Sequence, residues 1–138
     1  GRGMSPLTWQ LIKGKSKIYF SLIEASEKID DGNIYFQKKI FFKKDYLFKE
    51  IKEIQLKESL GLIIKFLRHL KKFKEPPISR KQVGKISKFR LRKPADSKLD
   101  INKSIKKQFN ILIICDPQNY PAFFYFQKKK YYLLIKKK

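Results

Sequence analysis

The side chains best suited to chemistry are the paired carboxylates of Ile29-Asp30-Asp31-Gly32-Asn33-Ile34. An apolar stretch, Ile18 to Ala25, runs into this segment, and an alternating one, Ile34 to Phe42, runs out. Two strands flanking an Asp-x-Gly turn would hold the Asp30 carboxylate at a sheet edge. A carboxylate on a short turn between rigid elements can be aimed, which acid–base work requires. The plain alternative is a tight hairpin centred on Asp31-Gly32. Other reactive residues are scarce. One cysteine, Cys115, excludes an internal disulfide and a cysteine metal cluster. With a single His, His69, the usual zinc ligand sets cannot be assembled. His69 has no Cys, Asp or second His placed to join it, so it reads as structural or surface, and no metal is expected.

The elements around the carboxylates follow from periodicity. Ser5-Pro6 reads as an N-cap and first helical position, opening a short helix through Leu7, Trp9, Leu11 and Ile12 that ends near Gly14. From Asp45, the spacing of Leu47, Ile51, Ile54, Leu56, Leu60, Ile63, Ile64 and Leu67 predicts two helices, or one with a kink, ending near Phe73 before Pro76-Pro77. Residues 76–93 are basic and poorly periodic and read as a linker. Pro94 to Ser97 is a turn, Asn102 or Ser104 caps a helix through Ile105, Phe109, Leu112 and Ile113, and Ala122–Phe126 with Tyr131–Ile135 form a hairpin. The expected organisation is 1–75, 76–93 and 94–138.

The formal net charge of +22 invites a nucleic-acid reading. Its make-up argues against that. There are 29 Lys and 5 Arg, with 18 Ile, 12 Phe and 7 Tyr against 3 Ala, a bias towards residues with A/T-rich codons. The lysines are spread along the chain, and the arginines that read bases and phosphates bidentately are few. The field would favour anionic ligands in either case. No run of about 18 apolar residues spans a membrane, and the start lacks a signal peptide. A cytoplasmic protein without membrane partners is expected.

Three segments, in order, carry a resemblance: Gly1-Arg2-Gly3-Met4-Ser5-Pro6-Leu7-Thr8-Trp9; Ile29-Asp30-Asp31-Gly32-Asn33-Ile34; and Arg92-Lys93-Pro94-Ala95-Asp96-Ser97 through Ile101-Asn102-Lys103-Ser104 to Tyr120-Pro121-Ala122-Phe123. Together, with the 28-residue step from Arg2 to Asp30, the chain resembles the N10-formyltetrahydrofolate-dependent formyltransferases: methionyl-tRNA formyltransferase and relatives that formylate amino sugars on nucleotides. The resemblance implies an α/β fold, the C-terminal half of a Rossmann-like formyltransferase domain followed by a small helix and β-hairpin appendage. It implies that Asp30 is catalytic and that Ser26, Glu27, Lys28, Ile29 and Asp30 line the folate site, partly through backbone groups. Arg2, Gly3 and Met4 become the substrate loop. The family's Asn and His would fall before Gly1. Asn33 stands where the family often has Asp, Tyr19 where a Gly commonly precedes the strand, and Met4 where some relatives carry a substrate-binding Arg.

In such a reaction an amine attacks the formyl carbon, and His and Asn donors would stabilise the oxyanion, each contributing about 3 kcal/mol. A carboxylate beside the His keeps it charged, which is the role implied for Asp30. Without the His, residues 1–138 alone are expected not to turn over. The 45 residues after Lys93 hold a helix and a hairpin but not the closed β-barrel of the tRNA enzyme. The acceptor expected is therefore a nucleotide-linked amino sugar, with a homodimer possible through the hairpin. Methionyl-tRNA is the alternative acceptor, and a non-catalytic basic nucleic-acid-binding protein is the alternative from another class.

Overall fold

A computed structural model describes residues 1–84 and 86–138. In chain order the elements are β1 (Arg2–Gly3), α1 (Pro6–Ile12), β2 (Lys17–Ile23), β3 (Ile34–Phe41), α2 (Phe48–Phe73), β4 (Lys88–Phe89), a 3-10 turn (Pro94–Ser97), α3 (Ile105–Leu112), β5 (Ala122–Phe126) and β6 (Lys129–Leu133). They form a mixed α/β structure with three two-stranded sheets: β1 parallel to β4, β2 antiparallel to β3, and β5 antiparallel to β6.

The β2–β3 pair is the floor of the molecule. Its register sets Ile18 opposite Ile40, and both are buried because alternate residues of a strand share a face. Phe42, just past β3, is 1% exposed and lies against Phe20 with ring centroids 6.2 Å apart. Ile51 of α2 and Leu11 of α1 close over this face, and Leu99, Leu112, Ile113, Ile114 and Ala122 join the same core. The stretches 1–75 and 94–138 thus share one hydrophobic interior.

α2 is a single uninterrupted helix of 26 residues, where the sequence pattern left a pair or a kink open. Glu50 starts it by accepting the Leu47 N–H at 2.8 Å. Gly61 sits within it where a Cβ would meet nothing, so it lowers helix propensity with no close packing that calls for glycine. Ile51 and Leu62 face inward. The stripe Leu56, Leu60, Ile63, Ile64 and Leu67 lies on the opposite side and is exposed. Apolar residues on both faces explain why one-face periodicity did not fix the helix count.

Ser5 is the residue before α1, yet its hydroxyl makes no cap bond. It accepts instead from the Arg92 backbone N–H at 3.3 Å. Ser104 does cap α3, accepting from Lys107 N–H. In the hairpin, Gln127 and Lys128 both take positive φ (47° and 63°), making a two-residue turn. That starts β6 at Lys129, two residues earlier than the aromatic run suggested, and stacks Tyr131 on Phe124 at 5.6 Å.

Candidate functional site

The paired aspartates do not sit on a tight hairpin. β2 ends at Ile23 and β3 begins at Ile34, so residues 24–33 form a longer loop, closed by Glu24 N–H to Asn33 C=O at 2.9 Å. Asp31 N–H turns back to Lys28 C=O at 3.2 Å. The left-handed residue is Asp30 (φ 59°), a conformation Asp tolerates better than most side chains. Gly32 is buried, and a Cβ there would run into the Glu24 carbonyl. The loop therefore needs glycine for close approach, with the positive φ falling on Asp30 instead.

The two carboxylates then diverge. Asp30 is half-buried, and its Oδ2 accepts the backbone N–H of Gly3 at 2.7 Å. Asp31 is exposed and pairs with the Arg2 guanidinium. The expected substrate loop, Arg2-Gly3-Met4, thus meets the expected catalytic turn directly. Gly3 has φ 102° and lies against the Phe89 carbonyl so closely that a Cβ would clash. Met4 is exposed, with its N–H on Phe89 C=O at 3.0 Å.

The stretch read as a linker builds the other wall. Arg80 exchanges two backbone bonds with Ile34, at 2.8 and 3.0 Å. Ser87 C=O takes the Arg2 N–H at 2.8 Å, and Lys88–Phe89 pairs with Arg2–Gly3. Gln82, which sequence reasoning missed, donates its side-chain amide to the carbonyls of Asp30 at 2.8 Å and Gly32 at 2.7 Å. Nothing in Arg80-Lys81-Gln82-Val83-Gly84 singles Gln82 out by type or period; only chain return brings it to the turn. Lys85, within this stretch, lies outside the described residues.

An open cavity of about 580 Å³ lies beside this arrangement. Arg2, Asp30 and Gln82 line it together with the apolar Ile18, Phe20 and Leu62. Ser26, Glu27, Lys28 and Ile29 do not line it. They form an exposed rim, braced by the Ser26 hydroxyl donating to Lys28 C=O at 2.8 Å. His69 is away on α2 against Phe73, with ring centroids 4.6 Å apart. Among the described residues no group of three or more His, Cys, Asp or Glu could hold a metal ion, and no helix is long and apolar enough to cross a membrane.

A second polar cluster fixes the chain below the site. The Arg90 guanidinium forms a bidentate pair with Asp96 at 2.7 and 2.5 Å and lies over Trp9, 4.5 Å from the ring. The paired guanidinium pulls the Asp96 carboxyl down to about 2. Arg92 is buried and donates to the Ser97 hydroxyl at 2.5 Å. Burial pushes the Cys115 thiol up, as expected of a thiol packed in the core.

No family model matches the sequence, and no curated protein matches it. Solved structures do. Methionyl-tRNA formyltransferase from Clostridium thermocellum superposes with a TM-score of 0.68 and 25% identity, over 94% of this chain and 55% of that one. A sugar N-formyltransferase from a Shewanella species gives 0.74 and 18%, over 98% and 56%. HypX from Aquifex aeolicus in complex with tetrahydrofolic acid gives 0.73 and 18%, over 97% and 23%. The chain thus has the fold seen in formyltransferases, as a partial domain. It spans just over half the length of the first two enzymes.

Proposed function

We propose that this chain supplies the carboxylate half of an active site for formyl transfer from N10-formyltetrahydrofolate to a primary amine. The observation that carries the reading is the Asp30 carboxylate, half-buried on a left-handed turn and gripped by the Gly3 amide at the edge of the cavity. A residue in a sparsely populated backbone conformation and aimed into a cleft is where reactive groups concentrate. The shared fold with formyltransferases supports the same reading.

The residues present fit a folate. Ser26 to Ile29 are exposed beside Asp30, and apart from the Lys28 carbonyl, which Asp31 and Ser26 already bond, their peptide groups are the ones offered to a flat heterocycle. The cavity volume falls in the range of small-molecule sites, roughly 300–1,000 Å³. When bound, the folate supplies the formyl group. Asp30 acts by keeping an adjoining imidazolium protonated and oriented, a role that needs a histidine from a preceding segment. His69 does not serve, because it packs on α2.

The acceptor we favour is the amine of a nucleotide-linked amino sugar. Overlap with the Shewanella sugar N-formyltransferase takes in 98% of this chain, the C-terminal helix and hairpin included. The exposed hairpin aromatics Phe126, Tyr131 and Tyr132 suit a contact between two copies. Methionyl-tRNA is the second reading, favoured by the net charge of +22 and the 25% identity to the tRNA enzyme.

The test joins residues 1–138 to a preceding segment carrying the family's Asn and His. Asp30→Asn should lower formyl transfer by at least about 100-fold while leaving the melting temperature nearly unchanged. Near-normal activity in that variant refutes the role of Asp30. Purified residues 1–138 alone should show no transfer, and detectable turnover refutes the half-site reading. Nucleotide-linked amino sugars and methionyl-tRNA offered side by side decide the acceptor. RNA binding that falls steeply with salt, without any transfer in the joined protein, would replace the enzyme reading altogether.

A further inference from the structure

We infer that Gln82 is a positioning residue for Asp30: it locks the turn that carries the carboxylate and ties it to the Arg2 loop. The inference rests on the reading of Asp30 as the reactive group. A glutamine side chain has two N–H donors and one carbonyl acceptor. Gln82 uses both functions. Its Nε2 donates to Asp30 C=O at 2.8 Å and Gly32 C=O at 2.7 Å, and its Oε1 accepts from Arg2 Nε at 3.3 Å.

Those two carbonyls belong to the Asp30–Asp31 and Gly32–Asn33 peptides, so one amide group ties down the planes on either side of the Asp31-Gly32 pair. The carbonyl of Asp30 and its Cα–Cβ bond belong to the same left-handed residue, φ 59°. Holding that carbonyl steadies the backbone from which the Cβ projects, and the remaining side-chain freedom is taken up by the bond to Gly3. On the far side, Gly3 N–H holds Oδ2 at 2.7 Å. Arg2 completes the ring of contacts by pairing with Asp31. Asp30 is thus held through its carbonyl by one segment and through its side chain by another, and Gln82 and Arg2 join the two segments.

Gln82 is itself anchored. Arg80, two residues before it, is bonded to Ile34 through both backbone groups, and Ser87, after it, accepts from Arg2. A side chain on an exposed stretch whose donors go to two carbonyls of one strained turn is placed to hold that turn. An ordinary surface glutamine would leave them to water.

The experiment reads the Gly3 amide by NMR in residues 1–138, so it does not depend on catalysis. The Gly3 amide is the direct reporter of its hydrogen bond to the Asp30 carboxylate, and its proton shift and exchange rate follow the strength of that bond. Gln82→Met keeps the shape and removes both donors. Gln82→Glu keeps the acceptor and turns a charge on the carbonyls. In both, Gly3 amide exchange should quicken by roughly tenfold and its proton shift should move upfield as the bond to Asp30 loosens, while the Ile18 and Phe42 amides stay protected. An unchanged Gly3 in both variants shows Gln82 to be a bystander. Loss of protection throughout the core shows it to be merely structural. Either result overturns the inference. Loss of formyl transfer in Asp30→Asn is a separate readout, so a failed function and a failed positioning role are told apart.

Discussion

The Gly3 amide donates to the Asp30 carboxylate at 2.7 Å, while Gly3 itself stands at φ 102° against the Phe89 carbonyl. Bond and approach depend on each other. Only a residue without Cβ can turn its N–H to Asp30 and still let β1 pair with β4. Gly3→Ala should therefore cost about 2–3 kcal/mol and disorder the carboxylate contact. Gly32→Ala, whose Cβ meets the Glu24 carbonyl, should cost a similar amount. Urea midpoints check both. A midpoint shift below a few tenths of a molar would show that the loop relaxes freely.

The outer stripe of α2 predicts how the chain behaves in solution. Leu56, Leu60, Ile63, Ile64 and Leu67 are each at least 42% exposed, a contiguous apolar face of the kind that drives association. Residues 1–138 should self-associate in a concentration-dependent way. Leu60→Glu with Leu67→Glu should reduce this and leave the unfolding midpoint nearly unchanged, because neither side chain is in the core. Sedimentation velocity measures the first effect and urea titration the second. Unaltered association would place the sticky surface elsewhere.

Asp96 gives the acid limb of stability a definite origin. Its carboxyl is held at about 2, below the ordinary 3.8, chiefly by the Arg90 guanidinium. A depressed folded-state value means the pair's contribution is present in full above the ordinary carboxylate value. It is lost as pH falls through the folded one, between about 4 and about 2. Asp96→Asn should be less stable than the parent at neutral pH, and the gap should close by pH 2. Arg90 is 58% exposed, so solvent screening keeps the effect small. A gap that persists unchanged at pH 2 would assign it to packing.

Cys115 reports on the core. It is 9% exposed, its thiol lies 3.1 Å from Ile111 C=O, and burial raises its ionisation above the usual thiol value. Alkylation at pH 8 should be slow in the folded chain and rise by orders of magnitude in denaturant. Equal rates in both conditions would mean that the interior around α3 opens freely.

Much of this was legible in the residues. The apolar and alternating runs marked β2 and β3, proline and glycine punctuated α1 and α2, and of the two cap candidates Asn102 and Ser104 it is Ser104 that caps α3. The motif order also pointed to the fold that solved structures share. Other features were not legible, because they depend on what lies across space. Asp31-Gly32 looks like a tight hairpin turn in one dimension. The strands stop at Ile23 and Ile34, and the longer loop between them closes where Glu24 bonds Asn33 and packs against Gly32. Ser5 has the right type for a cap but bonds Arg92 from the far end of the chain.

The sequence by itself determined the longer helices and strands and their apolar faces, while the choice of Asp30 as the candidate carboxylate came from the resemblance in motif order. The elements and faces follow from local stereochemistry and from a period of 2 or 3.6, which neighbours in the chain suffice to express. Tertiary structure alone decided what holds that carboxylate. Gly3 lies 27 residues before Asp30 and Gln82 lies 52 after it, and hydrogen bonds at such separations exist only once the backbone has returned to the same place.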